Sequence, residues 1–378
     1  MTAETPYWLD EPAADLSRRT LRGRAEVAVI GGGVTGCSCA LTLAERGMRV
    51  RLYEQRRVAG GASGRNGGFG SRGAAMPYDV AREELGDAPA RLIMSLTERS
   101  LDRLEGLAGD AFRRVGIVRL AVDVDEAEAL RREHDALRAD GFAVDWVDEL
   151  PPPLDRLYHA AIVHPTGGAL SPARWVSRLA QRAAEAGAEI VEGERVTVEE
   201  MDADAVVVCG DGFTASLLPE LRGLVVATRG QMLATAPLPE LRYVQPHGAR
   251  HGYDYWQQLP DGRLLIGGNR DAALDQEDTD VEEPTPLIQK RIEALAEQLA
   301  GTRPVVTHRW AGIWGATPDR LPLVGPVPGR DRVWVAGGYS GHGNALGLAC
   351  GDLVARALLG EDSEERRLFD PARLAGIA

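Results

Sequence analysis

One stretch near the N-terminus decides the fold: Glu26-Val27-Ala28-Val29-Ile30-Gly31-Gly32-Gly33-Val34-Thr35-Gly36. Its β-branched, apolar half predicts a strand, and its glycines predict a tight turn. The apolar-periodic segment from Val34 to Arg46 predicts a helix that ends at Gly47. A second short strand follows from Arg49 to Glu54. Strand, turn, helix and strand together make a complete βαβ unit.

The glycine spacing in this unit indicates a dinucleotide site. Gly31 permits the sharp turn, Gly33 lets the backbone approach a pyrophosphate, and Gly36 lets the helix pack on the strand. Glu54 follows at about the distance at which an acid binds ribose hydroxyls, a context that a ligand-free glycine turn lacks. We therefore predict cofactor binding by Gly31, Gly33, Val34, Thr35, Gly36, Glu54, Gln55 and Arg56.

Two further glycine-rich loops favour a flavin over a nicotinamide cofactor. Residues 60–68 can wrap a large ligand with backbone amides, and residues 337–344 again join a strand to a helix N-terminus. Either loop taken alone could be structural. Together they predict these further cofactor-binding residues: Gly61, Ala62, Ser63, Arg65, Asn66, Gly67, Gly68, Gly338, Tyr339, Ser340, Gly341, His342 and Gly343. We also assign Val196, Cys209, Gly210 and Trp314 to the cofactor.

The dinucleotide fingerprint occurs once in the chain. An NADPH-driven flavoenzyme usually needs a second dinucleotide site. We therefore expect the electrons to come from the organic substrate, and the flavin to be reoxidised by oxygen or by another acceptor.

Composition limits the function classes. A chain of 378 residues is about right for two domains, and it contains no apolar run long enough to span a membrane. The net charge of −13, with Lys290 the only lysine, argues against a nucleic-acid surface. The N-terminus does not resemble a signal peptide, so we expect a cytoplasmic protein. The four cysteines are expected to pack in the core, and no residue cluster has the spacing of a metal site.

Regular elements are expected beyond the βαβ unit. Amphipathic or capped helices are predicted over 87–107, 125–139, 171–187 and 288–299. Strands are predicted over 115–122, 204–209, 242–245, 254–259, 263–266 and 332–336. A turn at Asp261-Gly262 should join two of these strands as a hairpin.

Several motifs, in order along nearly the whole chain, resemble the D-amino-acid oxidase superfamily, in the branch with sarcosine oxidase, glycine oxidase and gamma-glutamylputrescine oxidase. Besides the fingerprint, they are Tyr7-Trp8-Leu9, Gly61 to Gly68, Gly168-Ala169-Leu170-Ser171-Pro172, Thr317-Pro318-Asp319-Arg320-Leu321-Pro322 and Gly338 to Gly343. The resemblance implies oxidation of a C–N bond by hydride transfer to flavin N5, giving an imine that water hydrolyses.

The fold that the resemblance implies is α/β, with an α+β substrate domain. A Rossmann-like FAD-binding domain of the glutathione-reductase type, residues 1–75, 155–222 and 311–378, would be interleaved with the substrate domain. That second domain, residues 76–154 and 223–310, would place an antiparallel sheet over the flavin.

Three positions depart from the family pattern. Gly312 stands where sarcosine oxidase-like members carry the cysteine that tethers the flavin, so we expect non-covalent FAD. Leu265 and Ala345 stand where those relatives use lysines for oxygen activation and for a substrate carboxylate. Reaction with oxygen is therefore left open. His342, Arg65 and His251 are the candidates for a fixed positive charge beside the flavin.

Four residues are candidates for the catalytic site: Tyr255, His342, Arg309 and His251. Tyr253 and Tyr255 share one face of a strand, where aromatic walls suit an amine, although ordinary sheet packing would explain them equally. Arg309 could bind a carboxylate or form an interdomain salt bridge, and His251 could simply be a surface histidine. Tyr255 and His342 are expected to orient the substrate rather than to act as acid and base.

Three functions therefore stay open on the sequence. The leading one is an FAD-dependent oxidoreductase for an amine or N-substituted amino acid. The second is a D-amino-acid dehydrogenase or a glycine oxidase-like deaminase, and the third is a flavin-binding subunit of a larger electron-transfer complex. The partners expected are a small amine or amino-acid substrate and oxygen or another electron acceptor. A homo-oligomer or a place in a larger complex stays open, and neither nucleic acid nor a membrane span is expected.

Overall fold

The computed structural model describes residues 5–12, 16 and 23–374. The strands are β1 (Val27–Ile30), β2 (Val50–Glu54), β3 (Phe69–Gly70), β4 (Phe112–Arg113), β5 (Ile117–Ala121), β6 (Asp145–Val147), β7 (Ala160–His164), β8 (Gly168–Leu170), β9 (Glu189–Glu192), β10 (Ala205–Val208), β11 (Val226–Pro237), β12 (His247–Ala249), β13 (Asp254–Gln258), β14 (Arg263–Gly268), β15 (Val306–Ala316), β16 (Leu323–Pro326) and β17 (Val333–Gly337). The helices are α1 (Val34–Glu45), α2 (Tyr78–Leu85), α3 (Asp87–Ala108), α4 (Val124–Ala139), α5 (Pro172–Ala186), α6 (Thr214–Leu217), α7 (Leu274–Glu277), α8 (Pro286–Ala300), α9 (Ala345–Leu358) and α10 (Glu364–Leu368).

A six-stranded sheet carries the predicted βαβ unit. Its order is β16-β17-β10-β1-β2-β9, and every pair is parallel except β16 with β17. The central strands β1 and β10 are almost entirely buried because the sheet is covered on both faces. Helices α1, α5 and α9 pack together on one side of it. This arrangement confirms the predicted Rossmann-like, α/β part of the fold.

An eight-stranded sheet forms the second layer. Its order is β15-β11-β14-β13-β12-β5-β7-β6, and all pairs are antiparallel except β12 with β5. Side chains alternate between its two faces, so one face packs Leu233, Trp256 and Ile266 against helix α8. The other face is turned toward the six-stranded sheet and lines a cavity. A small sheet, β3-β8-β4, lies beside these two.

The sheet pairing bears on the predicted domain boundaries. Strand β7 belongs to the eight-stranded sheet although the prediction puts residues 155–222 in the FAD-binding domain, and β15 runs across the predicted boundary at residue 311. The division into two domains stays a prediction.

Most predicted elements are confirmed, including helices α3, α4, α5 and α8 and the hairpin between β13 and β14. The strand predicted over 242–245 is wrong, because that segment is irregular. Backbone N–H groups of Arg242 and Tyr243 donate to the side-chain oxygen of Gln258, and the Tyr243 hydroxyl donates to the carbonyl of Leu299. These polar partners replace the hydrogen bonds to a neighbouring strand that the alternating sequence pattern predicts. All four cysteines are free and buried, as predicted.

Candidate active site

A cavity of about 1160 Å³ lies between the six-stranded and eight-stranded sheets. A typical small-molecule site has roughly 300–1,000 Å³, so this one has room for a dinucleotide and a substrate together. We call its two parts the nucleotide end, lined by the β1–α1 turn and residues 54–56, and the roof, the face of the eight-stranded sheet that includes Gly230, Met232 and Tyr255.

The β1–α1 turn has no room for side chains at its glycines. A Cβ placed at Gly31, where φ is +116°, would lie 2.5 Å from the carbonyl oxygen of Cys209. A Cβ at Gly33 would lie 2.8 Å from Ser63 Oγ, and one at Gly36 would lie 1.9 Å from the carbonyl oxygen of Gly31. The turn therefore exposes bare backbone at the start of α1, which is the cradle that a pyrophosphate needs.

Glu54 closes the nucleotide end on the side of β2. Its two carboxylate oxygens accept hydrogen bonds from the backbone N–H groups of Gly32, at 2.7 Å, and Arg56, at 2.8 Å. Desolvation raises the pKa of Glu54, and these two hydrogen bonds oppose that shift by lowering it. The carboxylate lies beside the glycine turn, where the predicted contact with ribose hydroxyls could be made.

Loop 60–68 bridges the two sheets. Ser63 Oγ accepts from the N–H of Val34, at 3.0 Å, in the first turn of α1. The guanidinium of Arg65 donates to the carbonyl oxygens of Gly60 and Ala311, at 2.8 and 3.1 Å, and lies 3.3 Å from Glu282. A Cβ placed at Gly312 would lie only 2.9 Å from the Cβ of Arg65. Arg65 therefore occupies the space that a longer side chain at position 312 would need.

Loop 337–344 is held by the half-buried carboxylate of Asp211, a residue that no sequence motif indicated. Asp211 accepts from the N–H groups of Gly315, at 3.1 Å, and Gly338, at 2.9 Å. Desolvation raises the pKa of Asp211 while these backbone donors lower it. The hydroxyls of Thr35 and Tyr339 lie 2.7 Å apart, so the loop is also joined to the first turn of α1.

Most of the predicted cofactor residues line this one cavity. They are Gly31, Gly33, Val34, Thr35, Glu54, Gln55, Arg56, Gly61, Ala62, Ser63, Arg65, Asn66, Gly67, Val196, Cys209, Gly210, Trp314, Tyr339, Ser340, Gly341, His342 and Gly343. Gly36, Gly68 and Gly338 do not line it. Gly36 packs α1 on β1, and the left-handed Gly68 and Gly338 abut Gln257 and Thr317, respectively.

The roof is aromatic above the turn and the two loops. Tyr255 packs its ring against Gly67 and lies edge-on to Phe69, with ring centroids 6.3 Å apart. Desolvation raises the pKa of Tyr255 to about 12, so the phenol stays protonated and is not a base near neutral pH. Trp314, on β15, lines the same space.

Arg270 is a cation of the roof that the sequence analysis also missed. Its guanidinium lies 5.3 Å from the ring centroid of Tyr253 and 5.2 Å from that of Trp314. No carboxylate in the described part of the chain forms an ion pair with it. An arginine held by two aromatic faces at the wall of a cavity can bind an anion.

The two predicted histidines both line the cavity but differ in setting. His342 Nδ1 is buried and has no hydrogen-bond partner among the described residues. Desolvation lowers the pKa of His342 to about 4, with Arg119 acting in the same direction, so its ring is neutral at pH 7 and does not supply a positive charge. His251 is exposed at the edge of the cavity, with a left-handed φ of 54°.

Arg309 does not reach the cavity, contrary to the prediction of a catalytic role. It pairs with Leu233 across β11 and β15 and therefore faces helix α8. There it donates to Gln289, at 2.9 Å, and to Glu293, at 2.5 Å. The alternation of side chains along β15 could have predicted this placement. Gly312 and Trp314 lie on one face of the strand, and Arg309 lies on the other.

The positions of the missing lysines are also away from the cavity lining. Leu265 and Ala345 are buried in the hydrophobic core, and Lys290 is exposed on α8. Since Lys290 is the only lysine of the chain, a lysine ammonium does not reach this cavity.

Residues 26–357 match the sequence profile of the family DAO, described as FAD dependent oxidoreductase. The chain belongs to this family. Its cofactor is therefore FAD, and the protein is an FAD-dependent oxidoreductase. The glycine cradle of the β1–α1 turn and the size of the cavity fit that cofactor.

Several relatives of this chain match it over most of their own length. The probable oxidoreductase OrdL of Rhizobium meliloti is 30% identical, with 90% of this chain and 84% of that protein covered. Gamma-glutamylputrescine oxidoreductase of Escherichia coli is 27% identical, with 89% and 84% covered. The crystal structure of glycine oxidase from Geobacillus kaustophilus superposes with a TM-score of 0.76 at 24% identity, covering 93% of this chain and 98% of that one.

No helix in the described part of the chain is long and apolar enough to cross a membrane. No group of three or more His, Cys, Asp or Glu side chains within the same part of the chain is placed to hold a metal ion.

Proposed function

We propose that this DAO-family enzyme oxidises the C–N bond of an amine or an N-substituted amino acid. The observation that carries the proposal is the set of side chains at and beside the roof: aromatic rings, the neutral His342 of loop 337–344, and Arg270, which has no acidic partner among the described residues. None of these side chains is a strong base. The names of the glycine oxidase and gamma-glutamylputrescine oxidoreductase relatives support the same substrate class.

The side chains of the roof would bind and orient a neutral amine. Tyr255 would lie against its apolar part, because the ring already packs on Gly67 at the edge of the cofactor loop. His342, uncharged, would accept or donate a single hydrogen bond without repelling the cation that forms as the C–N bond is oxidised. Arg270 would hold a carboxylate when the substrate is an amino acid. FAD, when bound, would supply the hydride acceptor for oxidation of the C–N bond, and water would hydrolyse the imine product.

We propose that FAD is held without a covalent bond. The glycine turn, Glu54 and Ser63 would bind the dinucleotide half, and the loop from Gly338 to Gly343 would approach the flavin half. Arg65 fills the space beside Gly312, where related enzymes carry the tethering cysteine. Precipitating the protein with acid should release yellow flavin into the supernatant. Flavin that stays with the pellet would refute this part of the proposal.

The electron acceptor is proposed as oxygen or a separate acceptor. Arg65 is the cation of loop 60–68, and it lies beside Gly312. Burial lowers the pKa of Arg65, but its guanidinium keeps an ion pair with Glu282. We propose that Arg65 is the positive charge available to assist reoxidation by oxygen, since His342 is neutral. The cytoplasmic location and a homo-oligomer or larger complex stay predictions.

An anaerobic titration tests the proposed reaction. Secondary amines, primary amines, N-methyl amino acids, glycine and D-amino acids are added separately to the purified holoenzyme, and the visible flavin absorbance is followed. We expect bleaching by secondary amines or N-substituted amino acids and recolouring when air or an artificial acceptor is admitted. The rate of recolouring in air distinguishes an oxidase from a dehydrogenase.

The alternatives predict different results in the same titration. Bleaching by glycine or D-amino acids alone would favour the deaminase, for which the supporting observation is that Arg270 has no acidic partner in the described part of the chain. Bleaching by none of these compounds would contradict an amine-oxidising enzyme and favour a flavin-binding subunit of a larger complex.

A further inference from the structure

Five residues form a row straight across the roof. In the sheet register, Arg119 on β5 pairs with Gly248 on β12, and Gly248 pairs with Tyr255 on β13. Tyr255 pairs with Gly267 on β14, and Gly267 pairs with Met232 on β11. Directly paired residues point to the same face of a sheet, so Arg119 shares the cavity face with Tyr255 and Met232. All three line the cavity.

The two glycines of this row have different surroundings. A Cβ placed at Gly267 would lie 2.5 Å from the ring of Tyr255, so the missing side chain there gives room to the tyrosine. A Cβ at Gly248 would meet nothing nearer than the carbonyl oxygen of Asp254, at 3.9 Å. Gly248 lines the cavity and does not have the left-handed φ that would itself require glycine. The space above it is therefore an open lane between Tyr255 and Arg119.

Arg119 lies at the far end of this lane, and most of its N–H donors have no hydrogen-bond partner among the described residues. Its side chain is 30% exposed, and within the described residues its one ion pair is with the buried Glu133 of helix α4. Glu133 also accepts from the backbone N–H of Tyr78, at 3.3 Å. A guanidinium has five N–H donors, and only the bond to Glu133 is made within the described part of the chain.

A second guanidinium lies at the same end. Arg72 lines the cavity, its side chain is 2% exposed, and it pairs with Glu98 at 2.5 Å. Its Nε is buried and has no hydrogen-bond partner among the residues that the structure describes. Arg72 Nη2 lies 3.3 Å from Nδ1 of the buried His164, and His164 pairs with Ile117, two residues before Arg119 on β5. Residues 117 and 119 point to the same face of the sheet, so the two cations and this ring form one polar cluster. Burial lowers the pKa of His164, so its ring is neutral. An acceptor atom on a ligand would satisfy the free N–H donors of this cluster.

We propose that the substrate is a long amine that carries a carboxylate at its far end, and that Arg119 binds this carboxylate while the chain crosses Gly248. This rests on the proposed amine oxidation and narrows its substrate class. Two strand spacings of about 4.8 Å separate Tyr255 from Arg119, so the carboxylate lies about 10 Å from the aromatic roof. That reach equals about three residues of extended chain, which excludes glycine and other short amino acids as the best substrates.

The first test changes charge at the end of the lane. A homologous series of ω-(methylamino)alkanoic acids, from short to long, is assayed beside methylalkylamines of the same lengths. With Arg119→Gln, we expect kcat/KM for the long acids to fall about 100-fold, because a paired charge is lost, while the uncharged amines change by less than about threefold. Arg119→Lys should recover part of the loss. An equal fall for acids and amines would overturn the proposal and leave Arg119 a structural role.

A matched control variant exists on the other face of the same sheet. Arg309 is, like Arg119, a strand arginine paired with a helix glutamate, but it faces α8 rather than the cavity. Arg309→Gln should leave the ratio of acid to amine kcat/KM unchanged.

The second test closes the lane without changing charge. Gly248→Leu places a side chain in the open space above β12, and no backbone atom within 3.9 Å opposes its Cβ. We expect kcat/KM to fall at least about tenfold for long acids and long amines alike, and to stay near the wild-type value for short amines. Equal effects on short and long substrates would contradict the lane.

A binding measurement separates this proposal from the proposed reaction. Alkanoic acids of increasing length, which have no C–N bond to oxidise, are titrated into the holoenzyme while the flavin spectrum is followed. Affinity should rise with length in the wild type and fall about 100-fold for long acids in Arg119→Gln. If no amine bleaches the flavin but this pattern holds, only the reaction is wrong. If amines react while long acids bind equally to both proteins, only the carboxylate subsite is wrong.

Discussion

The two ends of the cavity are built in different ways. The nucleotide end takes its glycine cradle from one contiguous stretch, Gly31 to Gly36, with Glu54 on the neighbouring strand. The roof takes Arg119, Gly248 and Tyr255 from three strands that lie side by side only in the folded sheet. The nucleotide end can be predicted from the spacing of residues along the chain, whereas the roof depends on the register in which distant strands pair. Substitutions at the two ends should therefore impair different properties of the enzyme, FAD binding at the nucleotide end and substrate turnover at the roof.

The largest effect is expected at the nucleotide end. In Gly36→Val, the new Cβ would lie 1.9 Å from the carbonyl oxygen of Gly31, so α1 cannot keep its place on β1. We expect loss of bound FAD and a loss of several kcal/mol in the free energy of unfolding. The ratio of flavin to protein absorbance after gel filtration measures the first, and denaturant unfolding the second. Gly106→Val is the matched control, since a Cβ at this helical position meets nothing within 4 Å.

A change at the roof should leave the cofactor in place. Tyr255→Ala removes the ring that packs on Gly67. We expect kcat/KM to fall about 100-fold with the flavin content unchanged, because a misplaced substrate loses reactivity without affecting the nucleotide end. Tyr255→Phe keeps the ring and should retain most of the activity. If Tyr255→Ala instead releases FAD, the two ends are not independent.

The pH dependence provides a subtler comparison. Since desolvation lowers the pKa of His342 to about 4, its ring is neutral from about pH 5 upward and becomes charged only as the pH falls through about 4. We therefore expect the kcat/KM profile above pH 5 to have the same shape in the wild type and in His342→Gln. A limb near the ordinary histidine pKa that disappears in the variant would show that His342 titrates in the working range.

The smallest effect is expected on the far face of the roof sheet. Arg309 and Glu293 are both partly exposed, with side-chain exposures of 27% and 28%, so their ion pair contributes no more than about 1 kcal/mol to stability. Arg309→Gln should lower the free energy of unfolding by at most that amount and leave kcat/KM unchanged. A tenfold loss of kcat/KM at equal stability would return Arg309 to the list of functional residues.

Sequence patterns predict helices and hairpins of this protein well because those elements depend on neighbours along the chain. Helices α3, α4, α5 and α8 follow from apolar periodicity and capping. The segment 242–245 shows the limit: its alternation resembles a strand, but its N–H groups donate to the side chain of Gln258. Which polar group meets an irregular backbone is decided by tertiary packing rather than by local pattern.

The candidate site divides along the same line. By itself the sequence determined the family, the FAD cofactor and the nucleotide end, because Gly31, Gly33 and Gly36 meet steric limits set within a few residues or by the next strand. Only the tertiary structure decided which side chains form the roof. It turned Arg309 away from the cavity, placed Arg270 against two aromatic rings with no acidic partner among the described residues, and brought Arg119 into line with Tyr255. The reason is that a strand's pairing partner and cavity face depend on contacts between distant segments.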